Sequence, residues 1–200
     1  MKNTIIYLLG WPGVGKWTVA QALAKKNGLI VLDNQLTAAP LFTVMAHDTS
    51  KGNPDWIEVL YRKYHKIAEQ VFEMAVYADS DLSYVFTDVL FDNEDGRQHF
   101  AWVEKLAQIR GAVFLPVQLV CDRDIHMQRV ASPDRVERFK LANPSVAERL
   151  MDRNEIIQVD HPNFMTLDIT NQNPSRTADL IAKAVERLSP EVPQATPLMA

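Results

Sequence analysis

The chain has 200 residues, 47% of them hydrophobic and 23% charged, with a formal charge of -4 and a pI near 5.7. That size and balance suit one folded globular domain and exclude a disordered chain, and the acidic net charge gives no footing for nucleic-acid binding. The single cysteine, Cys121, excludes an internal disulfide and a cysteine-built zinc cluster and fits a reducing cytoplasm. No apolar run is long enough for a signal-peptide core or a membrane span, so a cytoplasmic protein without membrane contact is expected.

In chain order, TIIYLLG (Thr4 to Gly10) reads as a buried strand, and Lys16 to Lys26 as a helix with Val19, Ala20, Leu23 and Ala24 on one face. Asn27-Gly28 closes that helix as a left-handed cap. LIVL (Leu29 to Leu32) is a second strand, ended by Asp33-Asn34. Pro54 opens a long helix with Ile57, Leu60, Tyr61, Tyr64, Ala68, Val71, Phe72 and Ala75 at helical spacing. YVFTDV (Tyr84 to Val89) is a third strand, followed by a helix from Asn93 or Asp95 to about Arg110. VFLPVQLVC (Val113 to Cys121) is a fourth, in which Pro116 points to an irregularity or a sheet edge. FMTLDIT (Phe164 to Thr170) is a fifth, and Pro174 starts a last helix through Leu188.

The alternation predicts an α/β fold: a three-layer α/β/α sandwich on a five-stranded, mostly parallel sheet, spanning residues 1–188. Ser189 to Ala200, with Pro190, Pro193 and Pro197, reads as a frayed tail. Ligands of such sheets gather at the carboxyl ends of the strands. The polar residues of interest stand there: the loop after the first strand, Asp33 after the second and Asp88 after the third.

The loop is GWPGVGKWT, Gly10 to Thr18. Gly10, Gly13 and Gly15 permit backbone N–H groups to turn inward around a phosphate, Pro12 stiffens the turn, and Val14 adds a further amide. Lys16 stands where it reaches terminal phosphates at a helix N-terminus. Trp17 occupies the place of the usual metal-binding hydroxyl, which arrives one residue later at Thr18. The pattern G-x-P-G-x-G-K-x-T resembles the loop of adenylate kinases. That resemblance implies that Thr18 contacts the α- or β-phosphate, and that Mg²⁺ is held by Thr18 and Asp88, with Asp33 a further candidate. The indole of Trp17 is read as packing on the first helix.

No N-K-x-D base-reading motif is present, which argues against a GTPase. An early loop, five strands and a basic segment before the last strand resemble the small P-loop kinases: shikimate kinase, gluconate kinase and the nucleoside monophosphate kinases. By that resemblance Asp33 holds or deprotonates the acceptor hydroxyl; the alternative is an aspartate capping its own turn. Asp88 likewise is either a metal carboxylate or a cap for the next element. From Arg123 to Lys140 the chain carries five basic residues against three acidic. Such arginines in small kinases form a lid over ATP, here about residues 123–148, hinged at Ser132-Pro133-Asp134. Arg129 and Arg135 are the candidates for stabilising the transferring phosphoryl group, with Arg138 next on the nucleotide; the alternative is a solvated charged helix.

Arg62, Lys63 and His65 are read as an exposed helix face, and His47, His99, His126 and His161 show no metal-ligand spacing. Arg149 and Arg153 fall near a substrate-holding arginine of shikimate kinase, and Asn171 to Ser175 near an adenine-holding loop. The shikimate signature is incomplete, since Asp88 is followed by Val89-Leu90 and not by glycines. The expectation is an ATP- and Mg²⁺-dependent phosphotransferase acting on a small-molecule acceptor, a monomer or weak homodimer. The alternative is a nucleotide-binding regulatory or zeta-toxin-like module without a metabolic acceptor.

Overall fold

The computed structural model describes residues 1–44, 54–138 and 140–188. Among them, β1 (Thr4–Leu9), β2 (Ile30–Leu32), β3 (Tyr84–Asp88), β4 (Val113–Val120) and β5 (Met165–Asp168) form one parallel sheet in the order β2-β3-β1-β4-β5. The chain steps from β1 outward in both directions, so the C-terminal ends of β1 and β3 frame a crevice. Leu9 is in register with both Asp88 and Gln118, which puts the loop after β1 level with the end of β3.

Side-chain alternation sorts the two faces. Ile5, Tyr7 and Leu9 pack towards α2 (Gln35–Val44), α3 (Pro54–Tyr77), α4 (Glu94–Arg110) and α7 (Pro144–Arg153), with Phe72 stacked on Phe86 at 4.3 Å. Ile6 and Leu8 pack towards α1 (Lys16–Asn27) and α8 (Pro174–Leu188) through Val19, Leu23, Ala178 and Ile181. The three layers are therefore those expected. Asn93 caps α4 by accepting from the Gly96 N–H, an interaction worth about 1 kcal/mol. Gly28 ends α1 at φ 69°, as a left-handed cap.

Several local expectations differ from the structure. Helix α2 has no counterpart in the sequence reading, because Pro40 lies inside it and removes a helical N–H. It begins where the Leu36 N–H donates to the Asp33 carbonyl and the Ala38 N–H to that of Asn34, and it buries Thr37 and Ala38. Pro116 is not at a sheet edge: it pairs with Tyr7 in an interior strand. The Val113 N–H points to β1 and the Phe114 carbonyl to Asn163, so alternation turns the Pro116 nitrogen to the β5 side. There β5 begins only opposite Val117, and no ladder bond is lost.

The segment expected for the lid holds α5 (Arg123–Val130), a single turn α6 (Asp134–Glu137) and the start of α7. Helix α7 starts at Pro144, within the span expected for the lid, and its Val146, Ala147 and Leu150 are buried. His65 is buried and not exposed like its neighbours Arg62 and Lys63. The tail 189–200, His47 and the side chains of Ile57 and Tyr61 lie outside the described residues.

Candidate active site

The loop between β1 and α1 closes on itself. Gly10 and Gly13 adopt φ 142° and 99°, conformations L side chains avoid. Space forbids a side chain as well: a Cβ on Gly10 would lie 2.6 Å from the Leu119 carbonyl oxygen, and one on Gly13 2.5 Å from Val130. The Val14 N–H donates to the Trp11 carbonyl, tightening the turn, and His126 Nε2 donates to the Pro12 carbonyl at 2.8 Å from outside it. Lys16 folds back over the turn, its Nζ donating to the carbonyls of Gly10 at 2.6 Å and Trp11 at 3.0 Å. Burial, and next the charge of Lys140, lower the Lys16 pKa to about 7, against the pull of Asp88 and Asp33.

Asp33, just past β2, faces the same space. Its Oδ1 accepts from Thr87 Oγ1 at 2.5 Å and its Oδ2 from Lys140 Nζ at 2.9 Å. Lys140 stands over the Trp17 ring, 5.1 Å from its centroid, and the Arg138 guanidinium over the same ring at 5.6 Å. Trp17 is therefore more than packing on its own helix: its indole is a platform for two cations of the segment after α6. Lys140 was among the basic residues of that segment in the sequence, yet nothing there marked it as the partner of Asp33.

Arg129 reaches into the site and spends its donors on backbone. Nη1 donates to the Val14 carbonyl at 2.8 Å, and Nη2 to those of Ile169 at 3.0 Å and Thr170 at 3.2 Å. It thus ties the glycine loop to the turn before α8. Arg135 donates from Nε to the Leu141 carbonyl at 2.8 Å. Arg149 and Arg153 are exposed and stand away from this space.

These groups share one cavity of about 320 Å³. Pro12, Gly13, Val14, Gly15, Lys16, Trp17 and Thr18 line its floor; Asp33 and Asn34 one wall; Arg129, Arg135, Arg138 and Lys140 the roof. Gln172, Pro174 and Thr177 close the end where an adenine-holding turn was expected. Gly10 lies beneath, bound by Lys16. Oxygen-bearing side chains line the cavity, among them Thr18, Asp33 and Asp134, and oxygen donors suit a hard Mg²⁺ ion.

Asp88, the expected metal carboxylate, is not on this wall. It has the strand parity of Tyr84 and Phe86 and so points into the α3/α4 layer, with no exposed surface. Its Oδ2 accepts from the Tyr7 hydroxyl at 2.8 Å and lies 3.2 Å from His99 Nε2; its Oδ1 accepts from the Val89 N–H at 2.7 Å. His99 donates from Nδ1 towards Glu69 at 3.4 Å. Burial opposes charge on His99, but contact with Asp88 and Glu69 lifts its pKa to about 9; burial, then the His99 charge, hold the adjacent His65 near about 2.

The ligand atoms of His65, Asp88 and His99 lie within 4.8 Å of one another, a spacing that permits a metal. The two imidazoles, however, stack at 4.3 Å with planes only 13° apart. Nitrogen lone pairs lie in the ring plane, so near-parallel rings cannot aim both at one ion. The cluster is a charge network that neutralises Asp88, and none of its histidines was legible as such from spacing in the sequence.

The loop between β1 and α1 and the parallel sheet together make a P-loop architecture. No protein-family model and no curated protein matches the chain. Solved structures do. A gluconokinase from Sinorhizobium meliloti superposes with a TM-score of 0.61 at 14% identity, covering 93% of each chain. The Mycobacterium tuberculosis APS kinase, solved with AMPPNP and APS, gives 0.51 at 16% identity over 92% of this chain and 98% of its own. A shikimate kinase from Acinetobacter baumannii with shikimate gives 0.50 at 19% identity over 92% and 93%. The fold is that of the small P-loop kinases, the group the sequence resembles.

Proposed function

We propose that the protein transfers the γ-phosphoryl group of ATP to a hydroxyl of a small-molecule acceptor. The observation that carries this reading is the meeting of Lys16, its glycine loop and the Asp33 carboxylate on one cavity under a roof of arginines. The loop amides and Lys16 hold the triphosphate. Thr18 and Asp33 would hold Mg²⁺, which supplies charge neutralisation on the phosphate oxygens when bound. Asp33 takes the acceptor proton as the acceptor oxygen forms its bond to the γ-phosphorus. The bond from that phosphorus to the β–γ bridging oxygen breaks, and ADP leaves with the electron pair. Arg135 and Arg138, on the segment that covers the loop, neutralise the charge spread over the moving group. Arg129 positions the loop through its three carbonyls and presents the rest of its charge to the phosphates.

The APS kinase neighbour was solved with a nucleotide analogue and the shikimate kinase with its acceptor, which supports a two-substrate cavity of this kind. The test is ADP release by the purified protein with ATP and Mg²⁺, alone and with pools of hydroxylated metabolites. Stimulation by one pool, lost in Lys16→Ala while the fold survives, is the expected result. Stimulation that persists in Lys16→Ala sinks the assignment. ATP binding without stimulation in any pool favours a regulatory or toxin-like module.

A further inference from the structure

The wall of the cavity beyond Asp33 differs in chemistry from the rest. Ala38 and Phe42 of α2, Leu60 and Tyr64 of α3, Val89 after β3 and Leu141 before α7 form an apolar chamber, with Asn34 and Gln35 at its mouth beside Asp33. Four segments of the chain converge to build it, and Ala38, Leu60, Tyr64 and Val89 are buried. The cavity's cations are already engaged. Lys16 and Arg129 are bound to backbone carbonyls of the loop region, Arg138 stands on Trp17, and Lys140 is paired with Asp33. Arg135 donates from Nε to the carbonyl of Leu141, one of the chamber's own residues. The described cations of α3 nearest the chamber in sequence, Arg62 and Lys63, point to solvent.

An acceptor bound here has its hydroxyl at Asp33 and its body in the chamber. A carboxylate or phosphate on that body would be stripped of water against apolar walls, a penalty of several kcal/mol, and the described cations nearest it, Lys140 and Arg135, are committed to Asp33 and to the Leu141 carbonyl. An aromatic or alicyclic body gains from the same walls. Resting on the kinase reading above, we propose that the acceptor is an alcohol or phenol with an apolar, non-anionic body, and that Phe42 and Leu60 select it. Asn34 and Gln35 suit neutral polar groups next to the reacting hydroxyl. The reaction that consumes the product is then one that recognises or exports a phosphate ester of an apolar alcohol.

The experiment uses the full chain and two matched probe sets: phenylethanol, hydroxybenzyl alcohol and cyclohexylmethanol against gluconate, shikimate and AMP. Binding is followed by saturation-transfer NMR, turnover by ADP release, and ATP affinity by calorimetry. We expect the first set to bind and to stimulate ADP release, and Phe42→Ala to weaken both by more than about tenfold. ATP affinity in Phe42→Ala should move less than about twofold, which also certifies the fold. Leu60→Met, which conserves volume, should shift the ranking within the set without abolishing binding. Stimulation by the anionic set with the first set silent overturns the proposal and leaves the kinase reading standing. Binding of the first set without ATP-dependent turnover leaves the chamber and removes the kinase reading. Absence of binding in both sets overturns the proposal, as does binding that Phe42→Ala leaves intact.

Discussion

Asp33 and Asp88 end neighbouring strands, and their surroundings are opposite. Both are nearly sealed from solvent, at 5% and 0% exposure. Asp33 is held by a hydroxyl and by Lys140, which arrives from a surface segment and also rests on Trp17. Asp88 is held by Tyr7, a backbone N–H and His99, all fixed in the core. A carboxylate at a strand end thus faces ligand or core according to strand parity and partner, and position in the sheet does not decide between them. One partner set lines the cavity; the other lies in the core.

Exchanging each carboxylate for its amide breaks or confirms that contrast most strongly. Asp33→Asn should lower acceptor-dependent turnover by about 10²–10⁴-fold, with ATP affinity in the absence of Mg²⁺ nearly unchanged, read by steady-state kinetics beside calorimetry. Asp88→Asn should leave the His99 charge without its partner and cost about 3–5 kcal/mol in urea unfolding. If Asp88→Asn spares stability and abolishes Mg²⁺ dependence, the two roles are reversed.

The pH dependence of stability sharpens the same point. His99, with its pKa raised from 6.5 to about 9, contributes stability that is complete below 6.5 and lost as pH rises through 9. His65, lowered from 6.5 to about 2, has the other sign: its contribution is complete above 6.5 and is lost as pH falls towards 2. The pair therefore favours a stability maximum near neutrality. His99→Gln should flatten the alkaline limb of Tm against pH. A limb that stays unchanged removes the imidazolium from the network.

The smallest expected effect is at Trp17. Trp17→Gly removes the platform for Arg138 and Lys140, worth about 0.5–1 kcal/mol per cation at an exposed site. Faster proteolysis after Arg135 or Arg138, with global stability lowered by no more than that, is the outcome to measure. Unchanged cleavage means that the Asp33 pair alone holds the segment.

The strands and the glycine loop were legible because their signals are local: β-branched runs, turn glycines and a lysine at fixed spacing. Helix α2 was hidden by Pro40, a true helix breaker in most settings, tolerated here near the surface where Leu36 and Pro40 are exposed. Helix α7 carried its signals openly, Asn143 as cap and Pro144 as first residue, but they stood beside a charge-rich stretch that drew the lid reading over them. The parity of Asp88 was also present in Tyr84-x-Phe86-x-Asp88, where two aromatics share its face of a strand buried on both sides. The Lys140–Asp33 pair was not readable, since 107 residues separate partners that only the closed crevice brings together.

Lys16 bent onto its own loop has a consequence for proton traffic. With its pKa at about 7, a large part of the molecules at mildly alkaline pH carry an uncharged amine there. On the proposed reading an arriving triphosphate would favour the ammonium, so nucleotide capture would draw a proton out of solution above neutrality. Calorimetry in two buffers of different ionisation enthalpy should register that uptake as a buffer-dependent heat, approaching one proton per ATP as pH climbs and vanishing in Lys16→Ala. Affinity would decline over the same range, and the protein would report the acidity of its surroundings each time it loads.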